Sequence, residues 1–109
     1  MEEEGWLAVE HVRSHLVRGE QRWTGQVVPP GGNAIDILIL ALRSGLLAVR
    51  NRCPHRDVAL LLGRLDETAG ILECPSHGWE LPLAGTELRG APVIERDGKF
   101  FMGPHAFAG

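Results

Sequence analysis

The chain has no tyrosine, only two cysteines among its 109 residues, and no long apolar run. A membrane helix needs about 20 consecutive apolar residues, whereas the longest apolar stretch, "AIDILILAL", is short and contains Asp36. The N-terminal stretch "MEEEGWLAVE" is acidic where a secretory signal would be basic. A net charge of −3 provides no basic surface for nucleic acid. These absences predict a cytoplasmic protein that binds neither a membrane nor a nucleic acid.

Each of the two cysteines stands directly before a proline and just ahead of a histidine. The two stretches are "NRCPHRD" at 51–57 and "ECPSHGW" at 73–79. One disulfide between the cysteines is an alternative, but disulfides are rare in the cytosol. A histidine beside each cysteine favours a metal site instead. The candidate ligands are Cys53, His55, Cys74 and His77.

The hydrophobic pattern predicts one all-β domain, because a chain of this length holds one hydrophobic core and is too short for two. Short apolar runs are separated by turn signals such as "PPGGN" at 29–33 and Asp97-Gly98, the latter typical of a β-hairpin. The stretch "HVRSHLVRGE" at 11–20 predicts a helical turn or a loop. The expected architecture is a small antiparallel β-sandwich or barrel.

The two cysteine–histidine stretches are expected to be loops at the ends of strands. Cys53 and His55 follow the predicted strand "LLAVR", and Cys74 and His77 follow "GILE". Proline lacks a backbone N–H and restricts the residue before it, which favours a pre-shaped loop over continued sheet pairing. Gly78 lets the backbone come close to whatever the loop holds. Two thiolates and two imidazoles on facing loops form a metal site.

The spacing of the ligands distinguishes two kinds of metal site. Zinc fingers place their cysteines two to four residues apart on one knuckle, whereas each motif here carries one cysteine and one histidine, as C-x-H and C-x-x-H. That distribution suits a two-iron cluster in which the cysteines bind one iron and the histidines the other. A structural zinc ion stays an alternative, because zinc accepts the same ligand types.

With Cys53-Pro54-His55 and Cys74-Pro75-Ser76-His77-Gly78-Trp79, the sequence resembles the two ligand loops of Rieske-type [2Fe–2S] proteins. A hairpin before the first loop, "LLLG" after it and a closing "DGKFF" hairpin extend the resemblance over nearly the whole chain. The resemblance implies a single Rieske-type domain over residues 1–109, with a cluster-binding part at approximately 51–82. It also implies one [2Fe–2S] cluster as the cofactor.

The resemblance implies an electron-transfer protein rather than an enzyme. Four ligands leave no open position on the metal, and the residues after His77 are too few for the catalytic iron domain of an aromatic-ring oxygenase. The expected partners are a flavin-dependent reductase and a terminal oxygenase, and the free carrier is expected to be a monomer. Two other roles stay open, namely the small subunit of an assimilatory nitrite reductase and a redox-sensing regulatory module.

Departures from the family pattern indicate the subclass. High-potential Rieske proteins carry a second cysteine in each loop and a serine that bonds to a cluster sulfide. Here Ser76 and Trp79 occupy two of those places. The sequence therefore resembles the low-potential, soluble Rieske ferredoxins. The stretch Gly90-Ala91-Pro92 is expected to form a third loop that covers the cluster.

Several charged and aromatic residues have less specific assignments. The other histidines stand alone and are expected on the surface or in packing: His11, His15 and His105. Trp79 is expected to pack under its loop and shield the cluster. Arginines crowd the first ligand loop, either as solvated charges or as a basic rim that steers an acidic partner. They are Arg50, Arg52 and Arg56.

Overall fold

The computed structural model of the protein describes residues 6–103, which form antiparallel β-structure. This range contains no helix, and so none that is long and apolar enough to cross a membrane. Its strands, in chain order, are β1 (Leu7–Ala8), β2 (Glu10–Val17), β3 (Glu20–Val27), β4 (Ile35–Leu42), β5 (Gly45–Arg50), β6 (Arg64–Asp66), β7 (Ile71–Glu73), β8 (Glu80–Pro82), β9 (Ala91–Arg96) and β10 (Lys99–Met102).

The described strands form a larger, seven-stranded sheet in the order β1-β10-β9-β5-β4-β3-β2 and a smaller sheet of β6, β7 and β8. Strands β1 and β2 follow each other in the chain but lie at opposite edges of the larger sheet, so the sheet curls until its edges meet at Val9. There the Val9 N–H donates to the carbonyl of Phe100 in β10 at 3.0 Å. On the other side, in the strand next to β2, a Cβ on Gly25 of β3 would lie 2.6 Å from Val9 Cγ1, so only glycine fits. The prediction of an all-β, barrel-like fold is confirmed.

Strand β4 lies at the centre of the molecule and is buried on both faces. Ile37 and Ile39 pack into the core enclosed by the curled sheet. Leu38 and Leu40 face the other way, into a second core that the larger sheet shares with the smaller one. A strand covered on both sides reads as a continuous apolar run rather than an alternating one, which explains "AIDILILAL".

The prediction of a helical turn or loop at 11–20 is wrong, because most of this stretch belongs to strand β2. The strand is an edge of the larger sheet and most of its side chains are exposed, so its alternation of apolar and polar residues is weak. It also contains a bulge where His11 has a φ of 57°. The turn to β3 has positive φ at Arg18 and Gly19, as two-residue hairpins require.

The smaller sheet packs against the larger one through leucines and a buried arginine. Leu72 and Leu81 are fully buried in the shared core. Arg22 of β3 is only 1% exposed, and its guanidinium donates to the carbonyls of Leu61 and Gly63, just before β6. These bonds tie the chain between the first ligand loop and the smaller sheet to the face of the larger sheet.

Candidate metal centre

The two ligand loops share one backbone design. In the first loop, the N–H of Cys53 donates to the carbonyl of Val58 at 2.9 Å, and in the second the N–H of Cys74 donates to the carbonyl of Trp79 at 2.9 Å. Each cysteine is therefore bonded to the residue five positions later. The sequence places a histidine inside each closed loop, although the two motifs differ in length by one residue.

The difference in length is absorbed by the turn inside each loop. In the first loop Arg56 N–H reaches the Cys53 carbonyl at 3.3 Å, whereas in the second Gly78 N–H reaches the Cys74 carbonyl at 2.9 Å. The wider second turn needs a positive φ of 71° at Gly78, which glycine adopts without the steric cost that a Cβ brings. The sequence expectation that Gly78 lets the backbone approach a bound group stays a prediction, and the structure shows the turn for which this glycine is needed.

The first loop is anchored to the larger sheet by Asn51. Its backbone N–H donates to the carbonyl of Asp36 in β4 at 3.0 Å. Its side-chain oxygen accepts from the N–H of Leu60 at 2.9 Å, on the far side of the loop. The second loop connects β7 and β8 of the smaller sheet. The packing of the two sheets therefore places the two loops face to face.

Three of the four candidate ligands meet at this junction. The possible ligand atoms of Cys53, Cys74 and His77 all lie within 4.8 Å of one another. Both cysteines are buried, at 2% and 1% exposure, and neither forms a disulfide. The imidazole Nε2 of His77 lies 3.6 Å from Sγ of Cys53. The disulfide alternative does not apply to this structure, and the donors are suitably placed for a thiophilic metal centre.

His55 is not a member of that group and lies at the rim of the site. Its Nε2 is 3.1 Å from Oε2 of Glu87, in the segment between β8 and β9. Its ring lies against the indole of Trp79, with 4.2 Å between ring centroids and 37° between planes. His55 is thus beside the buried donors in its loop, with one ring nitrogen held by a carboxylate.

Trp79 lies next to both loop histidines. Besides its contact with His55, it meets the ring of His77 edge-on at a centroid distance of 5.9 Å. The tryptophan is 51% exposed, so it does not pack under its loop as the sequence analysis expects. It covers the histidines from the solvent side, because its backbone is fixed by the bond to Cys74 while its ring is left outside the core.

Burial raises the pKa of the Cys53 thiol, and the neighbouring Cys74 thiol adds to this effect. Backbone N–H groups of His55 and Arg56 oppose it by stabilising the thiolate. The net result favours the neutral thiol when no cation is present. A metal centre binds thiolates, so binding must displace the Cys53 proton. A pair of buried, convergent thiols with an imidazole beside them fits an iron–sulfur cluster by its donor chemistry.

The segment expected to form a third loop is placed differently. Ala91 and Pro92 belong to strand β9 and pair with Ala48 and Leu47 of β5, so the prediction for Gly90-Ala91-Pro92 is wrong. The segment that reaches the site lies just before, at residues 83–90, and its contact residue is Glu87. An isolated glutamate with no motif around it gave no sequence signal for this role.

The arginines of the first loop are not equivalent. Arg52 forms an ion pair with Asp57 at 3.1 Å, and both side chains are largely exposed. Arg56 is exposed and has no ion pair among residues 6–103. Away from the site, His15 bonds to Thr24 at 2.9 Å and His11 is exposed on its bulge, as expected. His105 lies outside the described residues.

The sequence matches a family model along most of its length and individual known proteins over about half of it. A family model described as the Rieske [2Fe-2S] domain matches residues 7–98. The methylxanthine N3-demethylase NdmB of Pseudomonas putida is 47% identical over 51 residues, which cover 44% of this chain and 14% of the relative. The oxygenase subunit of 3-chlorobenzoate-3,4-dioxygenase from Comamonas testosteroni is 38% identical over 63 residues, or 50% of this chain and 14% of the relative.

A plant protein shows the same partial match. Chlorophyllide a oxygenase of Arabidopsis thaliana is 32% identical over 68 residues, covering 51% of this chain and 12% of the relative. The matched part thus spans only about one seventh of the length of these curated relatives. No solved structure is significantly similar to the chain.

Proposed function

The chain belongs to the Rieske [2Fe–2S] domain family and has one [2Fe–2S] cluster as its cofactor, and from this premise we propose that it is a soluble one-electron carrier, a Rieske ferredoxin. The Rieske domain is an electron-transfer module. When bound, its cluster takes up and releases a single electron. The proposed donor is a flavin-dependent reductase, and the proposed acceptor is a terminal oxygenase.

The proposed ligands are Cys53 and Cys74 on one iron and His55 and His77 on the other. The convergence of Cys53, Cys74 and His77 supports three of these assignments. The matching backbone closure of the two loops supports the fourth, since His55 and His77 each come directly before the residue whose N–H bonds back to the cysteine carbonyl. Two thiolates add two negative charges and the imidazoles add none, so a further electron is accepted more readily than at a site with four thiolates.

The carrier role is supported most directly by where the proposed metal ligands lie: the thiols are in the interior and the imidazole of His55 is at the surface. The thiols are buried in the shared core, whereas the side chain of His55 is 35% exposed. The thiol side of the site is thereby kept from water. The imidazole side offers a partner protein a short path to the metal, as electron exchange between two proteins requires.

The relatives support an oxygenase as the partner. Those described above are oxygenases or oxygenase components and a demethylase, and the segment they share with this chain is 12–14% of their length. This observation also favours a second candidate function, in which the domain delivers electrons as part of an oxygenase. The two candidate functions differ in kinetics. Only with a separate carrier does the turnover rate of the oxygenase rise with the carrier concentration and then saturate.

Purification without air from iron-replete cells tests the cofactor and its ligands. We expect a brown-red protein with about two irons and about two acid-labile sulfides per chain, and a rhombic electron paramagnetic resonance signal after reduction. The Cys53→Ser/Cys74→Ser variant is the colourless control. One bound zinc ion without visible absorption would overturn the proposal. Mixing the reduced protein with candidate oxygenases then tests the carrier role.

A further inference from the structure

The contact between His55 and Glu87 is held from both sides by the backbone. Glu87 precedes Leu88, which is fully buried and whose carbonyl accepts the N–H of Arg50 at 3.0 Å. Arg50 is the last residue of β5 and leads into the first ligand loop. At its other end, the 83–90 segment is tied to the smaller sheet by the bond from Leu83 N–H to the Gly70 carbonyl at 2.8 Å. The carboxylate therefore has a defined place relative to His55, although its side chain is 42% exposed.

The ring of His55 is restrained in two directions. Trp79 covers one face of the ring, and the carboxylate of Glu87 is placed to accept a hydrogen bond from Nε2. Nδ1 of His55 has no hydrogen-bond partner among the residues that the structure describes, so it is the nitrogen left to bind a metal. A neutral imidazole that binds a metal through one nitrogen carries its proton on the other and donates it to an acceptor. Carboxylates commonly fill that place beside metal-bound histidines.

The two loop histidines differ in this respect. The contacts of His77 are with the sulfur of Cys53 and with the backbone N–H of Trp79, which lies 3.2 Å from its Nδ1. Within residues 6–103, His55 is the histidine that has a carboxylate within ion-pairing distance. The charge of Glu87 therefore acts on one side of the site.

We propose that Glu87 is the positioning residue for His55, and that it lowers the reduction potential of the centre. This inference rests on the proposed function, in which His55 is a ligand. By accepting a hydrogen bond from the Nε2–H group, the carboxylate would hold the proton on Nε2 and leave Nδ1 free to bind the iron. Its negative charge, one imidazole away from the metal, opposes the arrival of an electron.

Substitutions at Glu87 separate the two parts of this role. Glu87→Gln keeps an acceptor oxygen and removes the charge, and we expect the potential measured by voltammetry at a fixed pH to rise while the iron is retained. Glu87→Ala removes both, and we expect a raised potential, a shifted paramagnetic resonance spectrum and faster loss of iron to a chelator. Glu80→Gln removes the same charge from an exposed position on β8, and we expect a much smaller shift in potential.

Three outcomes would overturn the inference. A Glu87→Gln protein with the wild-type potential and spectrum would show that the carboxylate does not act on the metal. Slower iron loss in Glu87→Ala would show that Glu87 draws His55 away from it. An equal shift of the reduction potential in Glu80→Gln would show that only the net charge of the protein matters, and not the position of Glu87. A wild-type protein that holds no cluster would instead overturn the proposed function itself, so the two failures are distinguishable.

Discussion

The Sγ atom of Cys53 lies 3.6 Å from Nε2 of His77, although the two residues belong to different ligand loops. Cys53 comes after β5 of the larger sheet, and His77 lies between β7 and β8 of the smaller one. The site is thus assembled from both sheets, and the packing between them decides whether the donors meet. Changes at this junction are expected to affect metal binding more than the formation of either sheet.

Replacing His77 by alanine is expected to abolish cluster binding and to leave most of the sheet intact. The side chain is only half-buried and lies on a loop, so its loss removes a donor without opening a cavity in either core. Iron content, visible absorption and far-ultraviolet circular dichroism measure the two effects. His15→Ala is the matched control, since His15 bonds to Thr24 on the larger sheet. A His77→Ala protein with full iron content would contradict the ligand assignment.

The sequence is most informative where one residue type has a single structural meaning. Asp97-Gly98 predicts a hairpin because few residues accept its positive φ angles, and the paired cysteine–histidine motifs predict a shared site through their chemistry. Arg22 and Glu87 could not be predicted in this way. Each acts on groups far away in the chain, and an arginine or glutamate in sequence is normally an exposed charge.

Arg22→Met is expected to reduce the free energy of unfolding by about 2 kcal/mol, because a buried carbonyl that loses its hydrogen bond costs about 1–3 kcal/mol. The change leaves the Leu61 carbonyl without this donor and the Gly63 carbonyl with only the longer bond from Arg18, at 3.3 Å. Because these carbonyls follow the first ligand loop, we also expect iron to be lost at lower denaturant concentration. Chemical unfolding followed by circular dichroism and by cluster absorption measures the two effects.

Arg18→Met is the matched control for Arg22, because Arg18 is exposed and donates to the neighbouring carbonyls of Leu62 and Gly63. Water can replace the bond to Leu62 and Arg22 still donates to Gly63, so the loss is expected to be at most about 1 kcal/mol. Equal losses in the two variants would show that burial of Arg22 contributes nothing to the junction.

The cluster-free protein is expected to lose stability as the pH rises. Burial raises the pKa of the Cys53 thiol in the folded state. The folded chain therefore holds this proton at pH values where the unfolded chain has released it, and its stability falls once the pH passes the ordinary thiol pKa of about 8.5. Thermal unfolding of the apo-protein between about pH 7 and pH 10 measures the slope. Cys53→Ser should reduce it, and an unchanged slope would contradict the assignment to Cys53.

The reduction potential is expected near the lower end of the Rieske range, at roughly −150 mV. Hydrogen bonds to the cluster sulfurs raise the potential in the high-potential class, and this chain has Trp79 and Ser76 in place of two residues that support them. Trp79 turns its ring outward onto His55 and offers no hydroxyl. Voltammetry at neutral pH measures the potential. A value well above zero would place the protein in the other class.

Arg56→Glu is expected to slow electron transfer to an acidic partner roughly tenfold at low salt, within the range that electrostatic steering covers. Arg56 follows His55 directly and has no ion pair in the described part of the chain, whereas Arg52 is paired with Asp57. Lys99→Glu changes the net charge equally on the β9–β10 hairpin and should have a smaller effect. The difference should shrink as added salt screens both charges. Stopped-flow rates that respond neither to Arg56→Glu nor to salt would leave these arginines as solvated charges.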